Sequence, residues 1–366
     1  MKIVVLCPHP QGSAPGQRLK FEQYYESWER AGFTVDVRAF WSERSWDILY
    51  QRGHFAEKTL GLIDGYRRRI RDFVDATRAD LVYVFLESLP LGPTLIERLL
   101  NRRGIPMIYD IDDLIYTPHS SAANPLMKTV RLLRGTHKVR TEFRLADHVI
   151  VNNDYLRSFA EQTNPKVTKI WPSVDLSQYP SRTHTANTEG VVVGWSGSHS
   201  TSPYLLLISD VLKTLQDEDH AVIRVLGDPE INMPGVDVDA RPWTAASEVI
   251  ELSQFDIGLH PLPDEQWVLG KTSGKLILYM ALGIPVVAQR IGSNLEIIHD
   301  GNNGFLVSTS EEWLAVIRQL ISDPELRAKI GDAGRQTIAQ KYSLNINEAR
   351  YLDILHSVLK SHRSLA

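Results

Sequence analysis

Residues 270–304 bring small, hydroxylic and cationic side chains together in a pattern that suits phosphate. The polar loop GKTSG is followed by KLILYMAL, whose mostly apolar composition and following glycine are typical of a short helix. The free N–H groups and partial positive charge at a helix N-terminus favour a bound anion. We therefore predict an anion site at this helix start, formed by Gly270, Lys271, Thr272, Ser273 and Lys275.

Three carboxylates lie close together in the first half of the chain, at Asp110, Asp112 and Asp113. They follow an apolar run at 106–109 that predicts a strand, so they lie at its carboxyl end. We favour a role in binding a substrate hydroxyl or in orienting an acceptor. An acidic turn that caps a helix is one alternative. A pair of Mg²⁺ or Mn²⁺ ligands formed by Asp110 and Asp112 is another.

The order of predicted elements places these residues in two α/β halves. Strands and helices alternate over 2–171, beginning with a strand, a glycine-containing loop and a helix at 18–31, which indicates a parallel sheet. The pattern stops at 172–190, a stretch rich in Pro, Ser, Thr and Asn that is typical of an interdomain linker. It then restarts with a buried-strand run. We predict two α/β domains, residues 1–171 and 191–345, with a crevice between them.

Composition and charge exclude several classes of protein. With 43% hydrophobic and 23% charged residues in 366, the chain is typical of a globular protein long enough for two domains. Its single cysteine, Cys7, excludes a disulfide framework and a cysteine-rich zinc site. The net charge of −4 argues against nucleic-acid binding. No apolar run reaches the ~20 residues of a membrane span, and we find no signal peptide, so we expect a cytoplasmic protein.

Basic residues are concentrated in the first part of the chain. Residues 1–165 contain 23 Lys and Arg against 20 Asp and Glu, whereas the remainder contains 17 against 24. Clusters of cations lie at 67–71, 98–103 and 128–140, the last on a predicted helix over 128–146. Solvated helix faces are the simpler interpretation. The alternative is peripheral contact with anionic membrane lipid, to which each charge near the surface contributes up to ~1 kcal/mol.

Three motifs follow one another in the second half. They are K-x3-YMA-x-G-x-PVVA from Lys275, G-x3-E from Gly292 and DG-x2-GFLV from Asp300. Together they resemble the donor-site signature of family 4-type glycosyltransferases of GT-B fold. The run FDIGL from Phe255 and the turn PSVD from Pro172 resemble the same family. The resemblance covers nearly all of the second half, while the first half agrees mainly in its order of elements.

This resemblance implies two Rossmann-like domains facing a crevice, with a terminal segment, residues 346–366, that returns to the N-terminal acceptor domain. It implies transfer of a sugar from a nucleotide-diphosphate sugar to a saccharide or lipid-linked acceptor in surface polysaccharide biosynthesis. It also implies retention of configuration at the anomeric carbon, without a metal or cofactor. Departure of the diphosphate needs positive charge and N–H donors where negative charge develops.

The same resemblance suggests roles for individual residues. Catalytic roles are expected for Asp110, Lys271 and Glu265. Donor binding is expected of Ser196, Gly197, Ser198, His199, Gly270, Thr272, Ser273, Lys275, Asn294 and Glu296. Contact with the acceptor or the diphosphate is expected of Gly12, Gly16, Arg18 and Asp112, with a plain strand-to-helix turn as the alternative for the first three.

The chain departs from the family at a Glu-x7-Glu pair, whose first glutamate lies near the donor sugar and whose second binds the ribose hydroxyls. The two positions hold Gly270 and Leu278, and a leucine side chain cannot accept a hydrogen bond. We expect Asp264 or Glu265 to take the sugar-side role and Glu296 to reach the nucleotide-sugar. Two other functions stay open, a nucleotide-sugar epimerase of GT-B fold and a non-catalytic relative that binds nucleotide sugars.

Overall fold

The chain folds into two compact α/β units. The computed structural model describes residues 1–49, 51, 53–114, 137–181 and 190–364. The first unit consists of Met1–Pro172 together with Asn347–Ala366, and the second of Ser173–Ile346. No helix in these described ranges is long and apolar enough to cross a membrane.

A parallel six-stranded sheet forms the centre of the first unit. Its strands are β1 (Lys2–Cys7), β2 (Thr34–Ala39), β3 (Leu81–Phe85), β4 (Met107–Ile111), β5 (His148–Val151) and β6 (Val167–Lys169). They follow the order β2-β1-β3-β4-β5-β6 across the sheet. The residues of β3 and β4 are buried throughout, because helices cover both faces of a parallel sheet of this kind.

Helices connect these strands and supply the outer layers of the first unit. They are α1 (Pro15–Lys20), α2 (Tyr25–Arg30), α3 (Glu43–Leu49), α4 (Phe55–Ala76), α5 (Leu95–Arg102), α6 (Lys138–Leu145) and α7 (Asp154–Glu161). The helix predicted over 18–31 is interrupted, because Phe21 leaves helical geometry (φ −125°, ψ −24°) and a short 3₁₀ turn at Glu22–Tyr24 precedes α2. The first part of the predicted basic helix, 128–136, lies outside the described residues.

The second unit repeats the architecture. Its strands are β7 (Val192–Ser196), β8 (Val222–Leu226), β9 (Val238–Arg241), β10 (Ile257–His260), β11 (Val286–Gln289) and β12 (Phe305–Val307), in the parallel order β12-β11-β10-β7-β8-β9. Its helices are α8 (Ser209–Asp219), α9 (Glu248–Leu252), α10 (Gly274–Ala281), α11 (Asn294–Ile297), α12 (Ser310–Ser322) and α13 (Pro324–Lys341).

The final helix, α14 (Leu344–Arg363), starts in the second unit and packs on the first. Tyr351 is fully buried there, with ring centroids 4.8 Å from Tyr24 and 5.9 Å from Trp28. Together with the two parallel sheets, this arrangement confirms the predicted fold class of two Rossmann-like domains with a C-terminal helix returning to the first.

The first part of the predicted linker packs as part of the second unit. Residues 173–181 belong to that unit, where the backbone N–H of Val174 donates to Tyr342 and Arg335 donates to the carbonyl oxygen of Tyr179 at 2.6 Å. The sequence prediction of a linker at 172–190 did not foresee these contacts, because the segment has no apolar period. The part from 182 to 189 lies outside the described residues.

The backbone of α13 packs directly against the backbone at the end of α10. Two glycines of α13 lie at this contact. A Cβ on Gly331 would overlap the carbonyl oxygen of Gly283, the residue that terminates α10 with a positive φ of 74°. One turn later, a Cβ on Gly334 would stay 3.4 Å from Asn303 and Met280. The first of these positions therefore requires glycine, and the second does not.

We expect Gly331→Ala to lower the free energy of unfolding by about 1–3 kcal/mol. The overlap with the Gly283 backbone outweighs the ~1 kcal/mol that alanine gains over glycine within a helix. Gly334→Ala, on the same helix, is the matched control and should change stability little or increase it. Urea denaturation followed by circular dichroism measures both, and equal behaviour of the two variants would contradict the close approach.

Candidate functional site

The N-terminus of α10 carries the two lysines that the sequence pattern singled out. A 3₁₀ helix, Gln266–Gly270, leads into it. Ser273 occupies the N-cap position but makes no side-chain capping hydrogen bond, so its side chain does not close the first N–H groups of the helix. The positive end of the helix dipole therefore adds to the charges of Lys271 and Lys275.

Lys275 lies under the loop that follows β7. Its Nζ is 3.4 Å from Thr201 Oγ1 and 4.2 Å from the centre of the Trp195 ring. Burial, followed by the charge of Lys271, lowers the pKa of Lys275 to about 7. Within the described part of the chain no carboxylate lies at ion-pair distance from Lys275, so a bound anion would meet a poorly solvated cation.

Lys271 lies over an indole ring that also holds a carboxylate. Its Nζ is 5.2 Å from the centre of the Trp267 ring. The indole Nε1 of Trp267 donates to the exposed Glu265 carboxylate at 2.5 Å. Trp267, which is buried, thus contacts both Lys271, which is expected at the phosphate, and Glu265, which is expected at the sugar.

A buried polar network fixes the turn that carries Lys271. Ser273 Oγ donates to Asn294 Oδ1 at 2.6 Å and lies 2.7 Å from Ser293 Oγ, while Ser293 donates to the carbonyl oxygen of Lys271 at 2.6 Å. His260 Nδ1 is 3.1 Å from Asn294 Oδ1, and burial lowers the pKa of His260 to about 3, so the ring is neutral. The network contains no net charge that could offset the lysines.

The donor contacts expected of Ser273, through its backbone, and of Asn294 stay predictions, but neither side chain is available to make them. Both side chains are fully buried, and Asn294 Nδ2 donates to the carbonyl oxygen of Gln289 at 2.8 Å. Their polar groups are satisfied inside the protein, so they shape the turn that carries Lys271 and do not present hydrogen bonds at its surface. Glu296 is half-buried, and its expected role stays a prediction.

The hydroxyl-rich loop after β7 meets α10 closely. The backbone N–H of Ser196 donates to the Tyr279 hydroxyl at 2.7 Å. A Cβ on Gly197 would lie 2.6 Å from Lys275 Nζ and 2.5 Å from the Trp195 ring, so only glycine fits there. Ser198 and His199 are exposed at the tip of the loop. The structure therefore brings this predicted donor loop and the lysine together.

Four residues around the lysines were not assigned to the site from the sequence, namely Trp195, Thr201, Tyr279 and His260. Tyr279 lay within the recognised motif, but nothing in the motif indicates that its hydroxyl reaches the end of β7. Trp195 and His260 had the apolar context of strands. Only their position at the carboxyl ends of β7 and β10, where ligands meet parallel sheets, could have indicated their place.

Leu278, at the position of the family's ribose-binding glutamate, is a buried residue of α10. Gly270, at the first glutamate position, ends the 3₁₀ helix and is buried. Neither position provides a carboxylate. Asp264 and Glu265, the expected replacements, are both exposed and precede the 3₁₀ helix.

Asp110 in the first unit is not presented to a substrate. It is fully buried, one of its oxygens pairs with the equally buried Lys20 and the other accepts from the Tyr83 hydroxyl. Lys20 also donates to the carbonyl oxygen of Ile111 at 3.3 Å. The carboxylate thus lies in an ion pair inside the sheet layer and not exposed at the end of β4, where it was expected, and its expected substrate role stays a prediction.

The glycine loop after β1 folds against its own unit. Asp112 is half-buried, and its Oδ2 lies 2.9 Å from the position of a Cβ on Gly16. The backbone N–H of Gly12 donates to Glu22 at 2.8 Å, and burial raises the pKa of that glutamate. Arg18 is half-buried at the same turn. Substrate contacts of these residues stay predictions.

The alternative of a metal site at the aspartates is not supported by the geometry. Lys20 occupies the place beside Asp110 that a cation would need. Across the ranges that the structure describes, no group of three or more His, Cys, Asp or Glu side chains is arranged to hold a metal ion.

Comparison with known proteins agrees with the site around α10. Residues 275–337 match the family model described as glycosyl transferases group 1. The chain is 27% identical over 157 residues to the lipopolysaccharide core biosynthesis glycosyltransferase LpsE of Rhizobium meliloti, covering 42% of each chain. It is 23% identical to a D-inositol 3-phosphate glycosyltransferase of Saccharomonospora viridis, covering 73% of this chain and 68% of that protein. The match thus spans less than half the length of LpsE.

Solved structures share the fold over nearly the full length of the chain. Anabaena HepE in complex with UDP superposes with a TM-score of 0.63 at 18% identity, covering 98% of this chain and all of that one. Sucrose-phosphate synthase from Thermosynechococcus elongatus gives a TM-score of 0.71 at 13% identity, covering 99% and 100%. The chain is therefore similar to group 1 glycosyl transferases over residues 275–337 and has the GT-B fold of these solved structures. At these identities the structural likeness concerns the fold.

We expect Asp110→Ala to destabilise the first unit by about 3–5 kcal/mol, because it leaves the buried Lys20 without its carboxylate. Lys20→Met combined with Asp110→Ala should recover a large part of that loss, since neither charge is then buried alone. Urea denaturation of the single and double variants measures both effects. A stable Asp110→Ala protein that fails to transfer sugar would show instead that the carboxylate acts on a substrate.

Proposed function

We propose that this protein transfers a sugar from a nucleotide-diphosphate sugar to a hydroxyl of a saccharide or lipid-linked acceptor. The observation that carries the proposal is the concentration of positive charge at the N-terminus of α10, where Lys271, Lys275 and the helix dipole meet the glycine loop after β7. A leaving diphosphate is the anion that such a site stabilises. The match of residues 275–337 to group 1 glycosyl transferases and the name of LpsE support a role in surface polysaccharide or glycolipid synthesis.

In the proposed reaction the bond between the anomeric carbon and the phosphate oxygen breaks, and its electron pair stays on the diphosphate. The acceptor oxygen bonds to the anomeric carbon from the same face, which retains the configuration. A phosphate oxygen of the leaving group takes the proton of the acceptor hydroxyl. Lys271, Lys275 and the first N–H groups of α10 stabilise the charge that develops on the diphosphate.

We further propose that this reaction needs no bound metal, because two lysines and a helix N-terminus supply the positive charge. Lys275 meets the diphosphate beneath Gly197, and Lys271 meets it from the turn that Ser293 anchors. Glu265, held by Trp267, takes a role beside the donor sugar. Since Leu278 cannot bind the ribose hydroxyls, Glu296 and backbone groups take over that contact.

A panel of nucleotide sugars tests the proposal. A ligand at 100 times its Kd stabilises the protein by ~2.7 kcal/mol, so thermal shift identifies the donor. Transfer to saccharide and lipid-linked acceptors is then measured with and without a chelator, and proton NMR of the product reports the anomeric configuration. An inverted product would refute retention, and chelator-sensitive transfer would refute metal independence. Release of free nucleotide without acceptor would favour an epimerase, and tight binding without turnover a non-catalytic relative.

We expect Lys271→Ala to lower kcat/KM by roughly 10²-fold, the usual cost of removing one group that stabilises charge in the transition state. Lys329→Ala, which removes an exposed lysine of α13, is the matched control and should leave kcat/KM unchanged. Initial rates at varied donor concentration measure both. Near-normal turnover by Lys271→Ala would remove that residue from the proposed mechanism.

We expect donor binding to weaken as pH rises above 7. Lys275 has a pKa of about 7 without ligand, and a bound diphosphate raises that pKa because it favours the charged amine. Below pH 7 the lysine is already protonated, so its contribution is complete. Between pH 7 and the raised pKa, binding takes up a proton and the affinity falls by up to about tenfold per pH unit.

Calorimetric titration with the nucleotide sugar in buffers of different ionisation enthalpy measures this proton uptake. Each phosphate of the donor carries one ester bond and the shared anhydride bond, so only strongly acidic groups remain and the ligand itself does not titrate near neutral pH. Lys275→Arg is the control, because arginine stays charged throughout this range and should show no uptake. Equal proton uptake in that variant would assign the titration to another group.

A further inference from the structure

Helix α4 exposes an apolar stripe on the first unit. Leu60, Ile63, Ile70 and Val74 are 65%, 43%, 67% and 47% exposed. At 3.6 residues per turn these positions fall within an arc of roughly 100°, so they form one face of the helix. Single exposed apolar residues are ordinary, but four on one helix face form an apolar patch. Such patches are typical of surfaces that bind a protein or a membrane.

The stripe continues into a groove between α4 and α5. This groove has a volume of about 590 Å³. Its lining is mainly apolar and includes Ile70, Phe73, Leu91, Leu95 and Leu99. Leu95, at the start of α5, is itself 53% exposed. The two helices therefore present one apolar surface with a depression at its centre.

Arginines are set into the same surface. Arg67 and Arg71 lie within the arc of the apolar stripe on α4, and Arg98 and Arg102 are exposed on α5. In the part of the chain that the structure describes, none of these four has a carboxylate at ion-pair distance. The guanidinium of Arg103 lies 5.1 Å from the centre of the Phe73 ring at the edge of the groove.

The aspartates of α4 do not neutralise these arginines, because they pair elsewhere. Asp64 pairs with Arg68 at 3.1 Å, and Asp72 pairs with the buried Arg69 at 3.2 Å. Asp75 pairs with Arg38 of β2 at 3.3 Å. The surface formed by α4 and α5, which we call the α4–α5 face, is therefore both apolar and positively charged.

We propose that the α4–α5 face binds the surface of an anionic phospholipid bilayer. The exposed apolar side chains of α4 and α5 would enter the boundary between headgroups and acyl chains, as those of interfacial amphipathic helices do. The arginines in and beside the stripe would meet lipid phosphates, since their long stems let the charge reach the headgroups while the apolar residues insert. The inference goes beyond the proposed sugar transfer and does not depend on it.

Self-association explains this face less well. A two-fold dimer through α4 would bring Arg67 and Arg71 of one chain close to the same arginines of the other, while the exposed Asp64 beside them already pairs with Arg68. Phosphates of a bilayer provide the opposite charge at every point of the surface. Charge complementarity therefore favours a lipid surface over a second copy of the chain.

Vesicle sedimentation of the full chain tests the proposal without any sugar donor. We expect binding to vesicles of phosphatidylglycerol and phosphatidylcholine, weakening as salt rises, and much weaker binding to phosphatidylcholine alone. Arg67→Gln with Arg71→Gln should weaken the partition into anionic vesicles about 30-fold. Ile70→Ser with Val74→Ser should weaken it about tenfold or more.

Matched controls remove equal charge and equal apolar surface from the second unit. They are Lys329→Gln with Lys341→Gln, both exposed on α13, and Leu206→Ser with Leu207→Ser, which are 46% and 53% exposed. These pairs should leave vesicle binding unchanged. Thermal melts of every variant establish that it is folded before its binding is compared.

An environment-sensitive dye locates the contact. Cys7 is fully buried, so Val74→Cys can be labelled selectively, with Lys329→Cys as the control position. We expect a blue shift with anionic vesicles only at position 74. Absence of vesicle binding, equal binding by the Arg67 and Arg71 double variant, or a concentration-dependent dimer that the Ile70 and Val74 changes abolish would each overturn the proposal. None of these results bears on sugar transfer.

Discussion

Two ammonium groups near one helix N-terminus repel each other, and holding them there is the constraint on which the second unit depends. Each lies over a tryptophan ring, Lys271 over Trp267 and Lys275 over Trp195. The electron-rich face of an indole attracts a cation without neutralising it. The positive charge is therefore kept in place beside the start of α10.

The support beneath these lysines is polar but neutral. Ser273, Ser293, Asn294 and a neutral His260 fix the turn by hydrogen bonds alone. A carboxylate in the same place would stabilise the free protein and compete with an incoming diphosphate. In the first unit, by contrast, the charge of the buried Lys20 is neutralised by the carboxylate of Asp110. Comparison of the two lysine environments separates a structural cation from one suited to ligand binding.

The sequence allowed the fold class and the place of the anion site to be predicted, because local patterns determine both. Apolar runs marked the strands, and the loop, helix and glycine at 270–283 marked α10 with its lysines. The burial of Asp110 and Asn294 was not foreseen, since their chain positions beside predicted ligand loops could not reveal which buried partners they meet. Burial depends on residues distant in sequence, which local patterns do not disclose.

The passage of α14 back to the first unit has a consequence for biosynthesis. Tyr24 and Trp28, near the start of the chain, are buried in part by Tyr351, near its end. As the chain leaves the ribosome, the second unit is complete at residue 346, while the first still exposes the aromatic surface that α14 will cover. The domain that is synthesised first is thus the last to close, and its aromatic core stays incomplete until the final helix has been made.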